Sequence, residues 1–184
     1  PRTLHMALTG IRNLSVINTP PEDRLSIRTF LSRFDEDLIR QAVLRELTRN
    51  GQVFFVHNRV HNISAMARFL KQLVPEASLA VAHGQMRERN LESVMLAFVR
   101  KEYNLLLCTS IIESGLDIPT ANTIIINHAE RFGLAELYQL RGRVGRSRYQ
   151  AYAYLLVPSE TSLSGDARKR LRALQELSEL GSGF

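Results

Sequence analysis

A chain of 184 residues, 45% hydrophobic and 23% charged, is long enough to bury a proper core and reads as one globular domain with flanking pieces. Its 24 Lys and Arg against 18 Asp and Glu give a net charge of +6 and a pI near 10.0, which favours a polyanionic partner, although a solvated basic surface is the ordinary reading of such an excess. The single Cys108 excludes an internal disulfide framework and a cysteine metal cluster, and no segment has a signal-peptide pattern or an apolar run that could span a bilayer, so a cytoplasmic protein is expected.

Along the chain, Pro1-Arg-Thr-Leu4 starts without a methionine and Gly181-Ser-Gly-Phe184 stops where a helix has just finished, so a segment of a longer protein is expected. The doublet Pro20-Pro21 marks a boundary, and residues 1–23 are read as a connector from a preceding domain. Asp35 can cap a helix with apolar positions at Leu38, Ile39, Ala42, Val43 and Leu47, which Asn50-Gly51 can end. Further helical stripes run through Ile63, Met66, Ala67, Leu70 and Leu73, and through Leu91, Val94, Met95, Phe98 and Val99. Between and after them, short apolar runs predict buried strands at Val53–Val56, Leu79–Ala82, Leu105–Cys108, Thr123–Ile126 and Tyr152–Val157. This alternation predicts an α/β domain over 24–160, with a mainly parallel sheet covered by helices on both faces and ligands gathered at the carboxyl ends of its strands. From 161 to 184 the pattern is helical, with Asp166 placed to cap a stripe of Leu171, Leu174, Leu177 and Leu180. Arg170 lies along the edge of that stripe, where it can hydrogen-bond inward, so it is the candidate coupling residue.

The densest chemistry is Gln139-Leu-Arg-Gly-Arg-Val-Gly-Arg146. Arg143 and Arg146 each follow a glycine; a guanidinium is always charged and its planar fork matches phosphate oxygens, so the pair suits a polyphosphate clamp, with backbone at the glycines close to the ligand. Thr109-Ser-Ile-Ile-Glu-Ser-Gly115-Leu-Asp117-Ile-Pro119 sets hydroxyls at a strand end, followed by a glycine turn and a carboxylate; Asp117 reads equally as a plain turn residue before Pro119. Cys108, in an apolar strand with no base implied, reads as a structural thiol. His83-Gly84-Gln85-Met86 precedes a helix with Arg87 and Arg89 near its start, where free amides and guanidinium groups can meet a sugar-phosphate backbone; His57-Asn58-Arg59 ends another strand in the same way. No paired ligands for a metal are present. Nor is there a Gly-x-x-x-x-Gly-Lys-Ser/Thr loop to cradle phosphates, or an Asp-Glu pair after a strand that would hold magnesium.

These motifs, in this order, resemble motifs IV, V and VI of the superfamily-two helicases and translocases, and over the entire chain the bacterial transcription-repair coupling factors. The resemblance implies the second, RecA-like motor lobe of an ATP-dependent translocase on double-stranded DNA, which displaces stalled RNA polymerase and recruits excision-repair proteins through other domains. ATP is then the nucleotide, with Mg2+ held by the missing first lobe. Arg143 and Arg146 are the implied arginine fingers, with Gln139, Gly115 and Asp117 around the nucleotide; Thr109, His83, Gly84, Arg87 and Asn58 are implied at the DNA. The tail resembles the start of a helical translocation hairpin. A RecG-like fork-regressing helicase is the alternative within the class, and a basic nucleic-acid-binding module without ATP chemistry is the alternative outside it.

Overall fold

A computed structural model describes residues 25–114 and 117–180, the side chains of residues 113, 114, 160 and 177–180 excepted. In chain order the elements are β1 (Arg28–Arg33), α1 (Glu36–Thr48), β2 (Gln52–Val56), α2 (Ile63–Leu73), β3 (Leu79–Ala82), α3 (Glu88–Val99), β4 (Leu105–Cys108), β5 (Ala121–Asn127), α4 (Leu134–Arg141), β6 (Tyr152–Val157) and α5 (Gly165–Leu180). All five predicted strands are present. They form, with β1, a six-stranded sheet in the order β1-β6-β5-β2-β4-β3. Every pairing is parallel.

The central strands are covered on both faces, which is why β2, β4 and β5 read as unbroken apolar runs rather than alternating ones. Successive side chains still point to opposite faces. Val53 and Phe55 join Ile39, Ala42 and Val43 of α1 and Ile63, Ala67 and Leu70 of α2. Phe54 and Val56 face the other way, with Met95 and Phe98 of α3, Leu137 and Leu140 of α4, and Ala167, Leu171 and Leu174 of α5. Phe54 and Phe98 are fully buried with ring centroids 5.5 Å apart; burial of each such side chain contributes about 1.5–3 kcal/mol. The tail helix thus shares the core of the lobe.

Local signals explain the element boundaries. Asp35 accepts a hydrogen bond from the Leu38 amide at 3.1 Å, the predicted cap of α1. At the far end of α1, Asn50 takes a left-handed φ of 58° and the Gly51 amide donates to the Glu46 carbonyl at 2.9 Å. The cap expected of Asp166 is made by another residue: α5 already starts at Gly165, and Ser164 Oγ accepts from the Ala167 amide at 3.2 Å. β1 has no counterpart among the predicted strands. It is an edge strand with arginines at both ends, a composition that edges tolerate and centres do not. Residues 1–24, with Pro1–Leu4 and the Pro20-Pro21 boundary among them, and residues 181–184 lie outside the described residues.

Candidate nucleotide and nucleic-acid edges

The parallel sheet has two ends, and the predicted site residues divide between them. At the carboxyl end, β2 is followed by His57 and Asn58, β3 by His83 and Gly84, and β4 by Thr109. Asn58 and Gly84 are exposed, as is Arg87, which precedes α3 and whose carbonyl accepts from the Leu91 amide. His83 is half-buried and its amide donates to Met86 Sδ at 3.4 Å. Thr109 is only 5% exposed, so of these residues the fold offers it least to a partner. His57 is buried between two amides. Asn127 Nδ2 lies 3.1 Å from Nδ1, and Asn62 Oδ1 lies 2.8 Å from Nε2. An amide donor on one ring nitrogen and an oxygen acceptor on the other select the neutral tautomer with its proton on Nε2. Burial, chiefly, holds its pKa below the ordinary histidine value.

Asp117, Arg143 and Arg146 lie at the other end, which corrects the expectation that the chemistry gathers at the carboxyl ends. The reason is the direction of α4. After β5 the chain turns into α4, which runs back along the sheet and delivers the 142–151 loop to the edge where β1, β5 and β6 begin. There Arg141 Nη2 donates to the Ile27 carbonyl at 3.4 Å, and Ser147 Oγ donates to Asn122 Oδ1 at 2.6 Å. Asp117 precedes β5 on this same edge. Arg146 Nη1 lies 3.0 Å from Asp117 Oδ2, and Arg146 Nη2 donates to the Gly142 carbonyl at 3.5 Å. The side chains of Asp117 and Arg146 are 58% and 30% exposed; an ion pair in such a position contributes about 0–1 kcal/mol. A polyphosphate can therefore displace the carboxylate at little cost. Arg143 is half-buried, and Gln139, one helical turn before it on α4, is exposed. Gly115 lies outside the described residues.

The glycines of this motif act differently from expectation. Gly145 is buried and has φ +81°, and a Cβ there would sit 2.9 Å from Ile27 Cγ1. It is needed for a left-handed turn against the core. Gly142 has an ordinary right-handed φ and ends α4.

An Asp-Glu step, Asp35-Glu36, does follow the unpredicted β1 after Phe34. Asp35 is committed to capping α1 and both residues are exposed. Among the described residues, no group of three or more His, Cys, Asp or Glu could hold a metal. Burial raises the Cys108 pKa, in keeping with a structural thiol. Among the described residues no helix is long and apolar enough to cross a membrane. In the tail, Arg170 Nη2 reaches inward to the Glu130 carbonyl at 3.3 Å, the kind of contact expected of it.

The helicase conserved C-terminal domain family matches residues 36–148. The whole chain is 58% identical to a transcription-repair-coupling factor of Myxococcus xanthus and 56% identical to that of Escherichia coli (strain K12). It spans 15% and 16% of the length of these relatives. Among solved structures it is similar to RecG bound to a three-way DNA junction, with a TM-score of 0.73 and 34% identity over 98% of this chain and 25% of that one. The C-terminal domain of the DEAD-box protein Dbp5 shares the fold at 17% identity, with a TM-score of 0.59 over 83% of this chain and 86% of that one. The sheet order, the helices on both faces and these likenesses establish a RecA-like lobe, and the chain belongs to the helicase conserved C-terminal domain family.

Proposed function

We propose that this chain is the second motor lobe of an ATP-dependent double-stranded DNA translocase of the transcription-repair coupling kind. In it, residues 1–23 connect from the first lobe, 24–160 form the second lobe, and 161–184 begin the helical translocation hairpin. RNA polymerase and excision-repair proteins bind other domains of the full-length bacterial cytoplasmic protein, and Mg2+ is held by the first lobe. The observation that carries this reading is the separation of two edges: an arginine paired with an exposed carboxylate at one end of the sheet, and the Asn58, Gly84 and Arg87 loops at the other.

That division suits a motor, because nucleotide and nucleic acid can be gripped independently and linked through the rigid sheet between them. Hydrolysis of ATP supplies the free energy for movement. Arg146 would exchange Asp117 for phosphate oxygens when the lobes close, Arg143 would add a second guanidinium, and Gln139 and Gly115 would help to place them. Closure and reopening would then move the DNA loops by a hinge, with nucleotide as the ligand that distinguishes the two states. The likeness to RecG keeps a fork-regressing helicase as the second reading; displacement of stalled polymerase against regression of a DNA fork separates the two.

The decisive experiment is turnover by the full-length protein. Arg143→Ala or Arg146→Ala should lower DNA-stimulated hydrolysis by roughly 10³-fold or more, the scale of a lost arginine finger, with a smaller effect on nucleotide binding. Near-normal turnover removes the proposed role. The 184-residue chain alone, without a phosphate-cradling loop, should hydrolyse no ATP.

A further inference from the structure

Glu46 is a fully buried carboxylate in the last turn of α1, unused by any function assigned above. Arg49 Nε donates to its Oε1 at 3.1 Å and Arg49 Nη2 to its Oε2 at 2.7 Å. Thr123 Oγ1 of β5 donates to Oε2 at 2.8 Å. Gly51 leaves the space that the carboxylate fills, since a Cβ there would lie 2.0 Å from Oε1. A buried ion pair is retained at a desolvation cost, so this one calls for a reason beyond stability.

The reason lies in what else Arg49 holds. Its Nη2 also donates to the Gln150 carbonyl at 2.7 Å, and its guanidinium lies over the Tyr149 and Tyr152 rings at 5.7 and 5.6 Å. Gln150 in turn donates through Nε2 to the Ser26 and Ala151 carbonyls. Ser147, one residue beyond Arg146, is fixed to Asn122 and accepts from the Tyr149 amide at 3.2 Å. Beside this loop lies an open groove of about 270 Å³ lined in part by Arg49, Asn122, Ser147 and Tyr149. Val144 and Ala151 seat the loop on the core, and Arg49, just past the end of α1, adds a polar pin at the Gln150 carbonyl.

We infer that Glu46 and Arg49 are positioning residues for motor turnover: the buried carboxylate sets the Arg49 fork, the fork holds the Gln150 carbonyl, and this fixes the stretch that aims Arg146 across the nucleotide cleft. The inference rests on the reading of Arg143 and Arg146 as nucleotide-facing. A lysine cannot replace Arg49 here, because one ammonium cannot span both carboxylate oxygens and a carbonyl in the geometry of a planar fork.

The test is DNA-stimulated ATP turnover by the full-length protein, expressed per folded molecule, for Arg49→Lys and for Glu46→Gln combined with Arg49→Gln, each with and without Arg146→Ala. The lysine variant keeps the buried charge paired, so it decides the question by itself if the double variant fails to fold. In both, kcat should fall on the order of 10- to 10²-fold with the KM for ATP little changed, as expected for a reacting group displaced by about 1 Å. In the Arg146→Ala background the same changes should cost little more, because the two act through one group. Normal turnover by Arg49→Lys beside a crippled Arg146→Ala overturns the inference and leaves the proposed function standing, and so do losses that combine independently. Normal turnover by Arg146→Ala overturns both.

Discussion

Gly145→Ala probes the turn that presents Arg146. The φ of +81° is one that an L side chain adopts at a cost of about 1–2 kcal/mol. The new methyl would meet Ile27 Cγ1 at 2.9 Å, Ile27 Cδ1 at 3.3 Å and Ala151 Cβ at 3.4 Å. None of these belongs to a long flexible side chain that can swing away, so overpacking adds about 1–3 kcal/mol. The sum centres on about 3.5 kcal/mol, and for a chain of this length it lowers Tm by about 7–14 °C. Urea and thermal unfolding measure it directly, and Ile27→Ala in the Gly145→Ala background separates the two causes. Removing Ile27 relieves the clash but leaves the φ cost, so the double-mutant cycle should show a coupling of about 1–3 kcal/mol. A loss below about 0.5 kcal/mol for Gly145→Ala refutes the reasoning, because an ordinary surface substitution does as much.

The folded-state pKa of His57 is lowered, so its neutral form contributes stability that is fully present above the unfolded value of 6.5 and is lost as pH falls below it through the folded value. Unfolding measured from pH 8 down to about 5 should therefore show a decline that His57→Gln flattens; the neighbouring His128, Arg59 and His61 act in the same direction as burial, and an unchanged slope in the variant discounts His57. Arg87→Ala in the full-length protein should weaken duplex binding alike on all sequences and reduce the salt slope by about one unit, and a changed sequence preference at constant salt dependence contradicts a backbone contact. Arg170→Ala removes the bond to the Glu130 carbonyl and should leave most ATP hydrolysis while abolishing displacement of a triplex strand or stalled polymerase; displacement at the normal rate per ATP consumed reduces the helix to packing.

What the sequence determined by itself is whatever depends on neighbours along the chain. The Val53–Val56 and Leu105–Cys108 runs read as doubly covered strands, and their alternation with helical stripes argued for a parallel sheet. Asp35 capped α1 because a cap is a contact over three residues. The same local reasoning failed at Asp166, where Ser164 was an equally good acceptor two residues earlier. It missed β1, whose arginines and short apolar content mean something only at the edge of a sheet.

Tertiary structure alone decided which end of the sheet each motif occupies. Asp117 and Arg146 are 29 positions apart, and nothing local says that α4 carries Arg146 back to the edge from which Asp117 projects. Nor could spacing reveal that Glu46, an apparent member of an ordinary helical surface, is buried beneath β5 and tied through Arg49 to Gln150. Periodicity reports which residues share a face of one element; the partner of a buried charge is chosen by how separate elements pack, and that choice is made only when the chain has folded.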